Sequence, residues 1–186
     1  MYSAKQISLL ALVLAQLLGA IQCGIYDDTD TWAYGYKWEE FPDNAVLGGF
    51  DPDGYDNFVG RVVYSSSILP ARVVAEYGNA TYNTETLANT ATSYELLVAN
   101  ETVSYHWKRS FDGHLEKNAV SVGTSNVNNR VYVCRGRTDS ALLIGTFILS
   151  QKYCIIRYGN LPLRQLSKYE VLVRKRKPAK WMPLVV

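Results

Sequence analysis

The densest run of side chains able to do chemistry is Asp51-Pro52-Asp53-Gly54-Tyr55-Asp56, three carboxylates within six residues. A calcium loop uses carboxylates at alternate positions and closes with a bidentate glutamate at its twelfth. Counted from Asp51 that position is Val62, and the full Asp-x-Asp-x-Asp-Gly order is missing, so no metal site is expected. The plainer reading of Asp51 is a turn residue, because Asp caps its own turn in a stretch such as Gly-Gly-Phe-Asp-Pro-Asp-Gly. Two histidines, His106 and His114, and three cysteines, Cys23, Cys134 and Cys154, are too few for a His- or Cys-based zinc centre. His106, beside Trp107, reads as a structural histidine. No Gly-x-Ser-x-Gly, His-Glu-x-x-His or Gly-x-x-x-x-Gly-Lys occurs. Neither an enzyme nor a cofactor is therefore expected. Aromatic residues are abundant instead, with 14 tyrosines and 4 tryptophans.

The compartment bears on the cysteines. Ile7–Ile21 is almost wholly apolar, follows Lys5 and ends near the small residues Gly19 and Ala20. That order matches a secretory signal, and the run is short for a membrane span. Cleavage after Cys23 would leave 163 residues, whereas cleavage at Ala20 would keep that cysteine. A secreted, extracellular product with no membrane span is expected. Cys134 and Cys154 then either pair as a disulfide in an oxidising compartment or stay as two buried thiols on neighbouring strands. Asn79-Ala80-Thr81 and Asn100-Glu101-Thr102 are N-glycosylation acceptors in such a compartment.

The net charge of +2 hides an asymmetry. Residues 24–106 carry −10, residues 107–173 carry +6, and residues 174–186 carry +5. Oppositely charged halves attract within a chain or between chains, which leaves a homodimer open. The Arg174–Lys180 run suits acidic glycans or anionic surfaces, but its plainer reading is a solvated terminal segment. Nothing points to a nucleic-acid partner.

The elements that must position these residues read as β-strands. NFVGRVVYSS, ARVVAEY, YELLVAN, RVYVCRGR, GTFILSQ, KYCIIRYG and YEVLVRKR are short, rich in Val, Ile and Tyr, and separated by Gly, Asn, Asp and Pro. They recur. Asn44-Ala45-Val46 returns 74 residues later as Asn118-Ala119-Val120, Gly49 as Gly123, Phe58-Val59 as Tyr132-Val133, and Arg61 as Arg135. Tyr94-Glu95-Leu96-Leu97-Val98 returns at an offset of 75 as Tyr169-Glu170-Val171-Leu172-Val173. Trp38 and Trp107 precede the two blocks as expected core anchors. Equal placement of Arg61 and Arg135 suggests a structural role, pairing with a carboxylate or carbonyls where the copies meet. The expected organisation is a signal (1–23), an acidic lead-in (24–31), repeats over 32–104 and 105–173, and a basic tail (174–186). A small sheet unable to bury its face alone packs on its copy, so one all-β body with pseudo-twofold symmetry is expected.

The ordered phrases Ala45-Val46, Gly48-Gly49-Phe50-Asp51, Phe58-Val59-Gly60-Arg61, Pro70-Ala71-Arg72-Val73 and Tyr94-Glu95-Leu96-Leu97 resemble the DM9 repeat, in an insect-type secreted form. The second copy resembles it more loosely. The resemblance implies tandem repeats of curved antiparallel sheet. It also implies carbohydrate binding, since the family includes a mannose-binding lectin of pathogen recognition and members linked to immune responses. In such members the sugar is held by the acid of the Gly-Gly-x-Asp phrase and a downstream lysine. Here these positions are Asp51 and Arg72; in the second copy they are Ser125 (or Asn126, if the gap is moved) and Thr146. A carboxylate accepts hydroxyl protons while a nearby cation donates back, and Tyr55 or Tyr64 could cover the sugar ring. The expected partners are mannose-like glycans or a microbial surface. The alternative is a protein-interaction or structural module whose sugar site has decayed.

Overall fold

The computed structural model describes residues 24–84, 88–159 and 161–178. The proposed signal, with Cys23, lies outside them. Over these residues the fold is all-β and antiparallel, with one short 3-10 turn at Leu149–Gln151. The first seven strands are β1 (Trp32–Tyr36), β2 (Leu47–Phe50), β3 (Asp56–Tyr64), β4 (Ser67–Val74), β5 (Asn79–Asn83), β6 (Ala88–Ala91) and β7 (Ser93–Leu97). The next seven are β8 (Val103–Phe111), β9 (Ser121–Thr124), β10 (Arg130–Arg137), β11 (Leu142–Ile148), β12 (Cys154–Ile156), β13 (Arg164–Leu166) and β14 (Lys168–Arg176). The two sets correspond strand for strand. Arg61 lies opposite Pro70 as Arg135 lies opposite Ile144, and Arg61 opposite Glu95 as Arg135 opposite Glu170.

The repeated phrases explain themselves in this frame. The Val46 amide donates to the Leu97 carbonyl and the Val59 amide to that of Val46; Val120, Leu172 and Val133 repeat both bonds. The Asn-Ala-Val phrase therefore ties the last strand of a repeat to its third. The paired glycines mark where one repeat meets the other. A Cβ on Gly49 would sit 2.1 Å from the Leu142 carbonyl oxygen, and one on Gly123 would meet Ile25 and Ile68. Leu142 and Ile68 are themselves counterparts. Only a residue without a side chain lets β2 and β9 approach the opposite repeat so closely.

Arg61 and Arg135 hold that junction. Arg61 Nε donates to Glu95 at 2.8 Å, and its Nη1 donates to the Val122 carbonyl of the second repeat at 3.2 Å. Arg135 Nε donates to Glu170 at 2.7 Å, and its Nη1 donates to the Gly48 carbonyl of the first repeat at 2.9 Å. The guanidinium of Arg61 lies over Trp32, that of Arg135 over Trp107. The structural partner of Trp107 is thus Trp32. Trp38 is not a core anchor: it is 79% exposed, with only Lys37 over its ring. Its place before the block misled because the matching strand begins earlier, at Trp32.

Three apolar clusters result. One is shared and includes Val46, Val59 and Leu97 with Val120, Val133 and Leu172. A second belongs to the first repeat, around Val73, Ala80, Tyr94 and Leu96. The third belongs to the second repeat, around Cys134, Phe147, Cys154 and Tyr169. The shared cluster has ten buried members. At roughly 1.5–3 kcal/mol for each fully buried aliphatic side chain, its exposure would outweigh the stability of a typical domain, about 5–15 kcal/mol. The repeats therefore form one body.

Part of the charge asymmetry is met inside the chain, by the two lead-in pairs that join the acidic half to basic residues beyond it. In the lead-in, Asp27 pairs with Arg130, Asp28 with Arg61, and Asp30 with Arg174. The start of the basic tail continues a strand, with Lys175, Arg176 and Lys177 exposed to solvent. Arg174–Arg176 complete β14 opposite Tyr105, Ser104 and Val103, and Lys177 Nζ donates to the Asn100 carbonyl. A strand can carry such a run because alternate residues leave one face, and Arg174 turns to Asp30. His106 is exposed on β8, opposite Val173 of β14. Among the described residues, no helix is long and apolar enough to cross a membrane.

Candidate functional site

Asp51 is positioned by a turn between β2 and β3. Its amide donates to the Tyr55 carbonyl, the Gly54 amide returns to the Asp51 carbonyl, and Gly54 has φ 91°. The carboxylate Oδ1 accepts the amides of Asp53 and Tyr55 at 3.0 and 2.9 Å. The turn role read from the sequence is therefore real, and it leaves Oδ2 as the acceptor a ligand could use. Fixing one oxygen also fixes the other, so the residue's structural role pre-orients it.

Arg72 lies on β4 between Val59 of β3 and Thr81 of β5. Its inward side makes it only 4% exposed, beside Asp51 at 5%. Nη1 donates to the Arg157 carbonyl at 2.6 Å, and the Tyr158 ring lies 5.7 Å from the guanidinium carbon. Burial pulls the Arg72 pKa down to about 10, against the opposing pull of Tyr158 and Asp51. The group stays a cation at neutral pH, with donors not used by Arg157.

Asp51 and Arg72 line one open cavity of about 330 Å³. Asn57, Tyr77, Asn79 and Thr81 add to its lining from the first repeat, Tyr158 and Gly159 from the second. The Asn57 Nδ2 group is buried without a hydrogen-bond partner. Tyr158 donates to Asp53 at 3.4 Å, and its phenol pKa is raised by burial, then by the charges of Asp51 and Asp53. The Tyr77 phenol is pushed up to about 12, first by its hydrogen bond with Tyr55. At neutral pH the cavity thus offers a carboxylate, a guanidinium, a free amide donor and neutral phenols. Polyhydroxyl ligands need that mixture of donors and acceptors.

The aromatic residues differ from expectation. Tyr55 packs edge-on against Tyr77, which itself lines the cavity, while Tyr64 packs on Tyr82 away from this site. Sequence reasoning missed Asn57, Tyr77 and Tyr158. Asn57 carried a signal, a polar residue on the inward parity of a strand that continues with Val59 and Arg61. Tyr158 carried none, because it arrives from the other repeat. Asn79 lies at the cavity, so a glycan there would compete with a ligand; Asn100 sits on an exposed turn, its Oδ1 accepting the Thr102 and Val103 amides. Cys134 and Cys154 are joined as a disulfide beneath the other face of the second repeat, with Cα atoms 6.0 Å apart.

Fold and cavity together define a two-repeat antiparallel β protein with a polar cavity lined by both copies. A family model described as "DM9 repeat" matches residues 51–165, and the chain belongs to that family. Among solved structures it is similar to the nematode sperm cell motility protein MFP2B, at 16% identity and a TM-score of 0.60. That likeness covers 84% of this chain and 48% of the other, so the chain spans about half the length of that protein. It speaks to the fold alone. No match was found among curated proteins.

Proposed function

We propose that this is a secreted carbohydrate-binding protein of the DM9 family that takes a mannose-type sugar between Asp51 and Arg72 and serves in recognition of microbial surfaces. The observation that supports the reading is the meeting of a buried carboxylate and a buried guanidinium at one open cavity, twenty-one positions apart in sequence. Asp51 accepts two sugar hydroxyl protons through Oδ2, Arg72 and Asn57 donate to hydroxyl oxygens, and Tyr77 or Tyr158 covers the apolar ring face. Arg at the lysine position donates in a flat fork and not as a compact ammonium, with Nη1 already held by the Arg157 carbonyl. The protein should bind mannan and release it to free mannoside. Asp51→Ala should weaken binding roughly tenfold or more, the loss of a charge-assisted hydrogen bond. A blank result on a broad glycan array would overturn the proposal.

A second reading, a protein-interaction module with a decayed sugar site, draws on the bond from Arg72 to Arg157, which already occupies one donor. It requires the blank array and a protein partner whose binding weakens with salt.

A further inference from the structure

The acidic lead-in covers one junction arginine and leaves the other uncovered. Tyr26 bridges to Gly123 of β9, and its ring lies 4.4 Å from the Arg61 guanidinium, with Trp32 at 4.5 Å. Asp28 pairs with Arg61 Nη2, and the Asp27 carbonyl accepts from Nη1. Under that cover the Arg61 side chain is 3% exposed. Arg135 stands in the same place in the second repeat. It keeps its bonds to Glu170 and Gly48 but stacks on one ring, that of Trp107, where Arg61 stacks on two. Among the described residues nothing takes the part of Tyr26, Asp27 or Asp28 there. Outside the described residues the chain's only acid is Glu85, between β5 and β6 of the first repeat. The Arg135 side chain is 16% exposed and lines an open cavity of about 570 Å³.

The walls of this cavity are basic. Arg109, Arg137 and Lys168 line it, all exposed, and none is in an ion pair among the described residues. Their counterparts in the first repeat are Tyr34, Val63 and Ser93, which carry no charge. Lys168 lies opposite Phe111 and Glu170 opposite Arg109, so residues two apart put cations and a ring on one face of β8 and β14. Phe111 and Phe50 are both exposed at the cavity. A wholly apolar partner would strip water from three cations without a counter-charge. A partner bearing acids alone would leave Phe50, Phe111 and the uncovered side of Arg135 in water. The chemistry that covers Arg61 answers both needs: an aromatic residue followed by acids on an extended chain. This chain's own copy of that sequence is already engaged, because Asp27, Asp28 and Asp30 pair with Arg130, Arg61 and Arg174.

We propose that this cavity is a docking groove for an extended acidic segment of another protein, which lays an aromatic ring on Arg135 and its carboxylates on Arg109, Arg137 and Lys168. It rests on neither reading of the Asp51 cavity. The test is amide chemical-shift mapping of the full chain by NMR, with a synthetic peptide of the lead-in sequence, residues 24–31, as the probe. The expected result is perturbation at Phe50, Arg137 and Lys168 that weakens at least about threefold between ~50 and ~500 mM salt. Arg137→Glu with Lys168→Glu, a change of two exposed side chains, should weaken binding roughly tenfold or more. Arg109→Ala serves the same end if that double variant does not fold. Tyr26→Ala in the peptide should cost about threefold in affinity. Silence in the groove overturns the proposal, as does equal binding of a peptide whose three Asp are changed to Lys. Perturbation confined to Val122 and Gly123 overturns it too, because the probe then only displaces the lead-in. So does a dimer in sedimentation that Arg137→Glu dissolves, since a second copy would then be the occupant.

Discussion

The two repeats keep the same turn and the same strand register, and each has a cavity that the other repeat closes; the first, of about 330 Å³, holds Asp51 and Arg72 and is closed by Tyr158, while the second, of about 380 Å³, holds Ser125 and Thr146 in their places and is closed by Asn83. What stays equal across the copies is what joins them: Arg61 with Glu95, Arg135 with Glu170, and the two close-approach glycines. What differs lines the cavities. The outer clusters differ too. The second repeat bridges Cys134 to Cys154 around Phe147, where the first has Gly60, Ala80 and Val73 and fills space with the Phe41–Phe58 pair. Packing between copies constrains both partners at once, whereas each cavity or outer cluster can change by itself.

The strongest test of this equality is to remove each arginine. Arg61 is 3% exposed and reaches Glu95, Asp28 and the carbonyls of Asp27 and Val122. Arg61→Met strands Glu95 and two carbonyls, which should cost about 3 kcal/mol and lower Tm by roughly 6–12 °C. Arg135, with a side chain 16% exposed and fewer partners, should cost about 2 kcal/mol as Arg135→Met. Calorimetry of both variants decides it; a larger loss for Arg135→Met would mean the lead-in contacts of Arg61 carry little.

The disulfide comes next. Replacing Cys134 and Cys154 together by Ala, the residue already at position 80, should cost about 3 kcal/mol for a loop of 20 residues. Hydrogen exchange should quicken in β10–β12 more than in β3–β5. Equal quickening in both repeats would show that the outer clusters do not open independently.

Much of this was legible in the sequence because it lies in local periodicity and in self-similarity. The strands, the two copies and the junction role of Arg61 and Arg135 follow from alternation and from the 74-residue offset, whereas the pairing of Asp51 with Arg72 follows only from the resemblance to the DM9 repeat. What was illegible depends on the opposite copy. Tyr158 and Asn83 close cavities across the pseudo-twofold, and no spacing within one repeat announces them. Trp38 was misjudged because a tryptophan near the right offset is not a register, whereas Trp32 opposite Leu97 matches Trp107 opposite Leu172. Nor does composition show that Asp30 takes up Arg174, the one described basic residue of the tail that is not exposed.

The lead-in offers a smaller effect with a definite sign. Burial opposes charge on Asp27, but bonds from the Thr29 hydroxyl and amide, with Arg130, outweigh it and hold the carboxyl below its ordinary 3.8. A depressed carboxyl stabilises the folded form above its unfolded pKa and loses that contribution as pH falls through the folded value. Exchange protection of the Asp27 amide, which bonds to the Val122 carbonyl, should therefore hold at neutral pH and fade only in acid below about 4. Arg130→Ala should move the fading to higher pH. The counterpart of Val122 is Gly48 in β2 of the first repeat, where no such strap of acids docks among the described residues; that edge should show no matching transition, and one found there would erase the asymmetry.

The least disruptive change lies at the rim of the first cavity, where Tyr55 and Tyr77 stand in places that Asn129 and Gln151 take in the second repeat. Tyr55→Phe keeps the edge-on ring contact at 5.1 Å but removes the hydroxyl that chiefly raises the Tyr77 pKa. Stability should barely move, because both side chains are largely exposed. A spectrophotometric titration should instead show one tyrosine leaving the group near 12 for the ordinary range near 10. Sugar affinity should fall by no more than about threefold, since Tyr77 would still present its ring face but with its hydroxyl less firmly oriented. A loss as large as that of Asp51→Ala would mean that the aromatic rim, and not the charge pair, separates the two cavities.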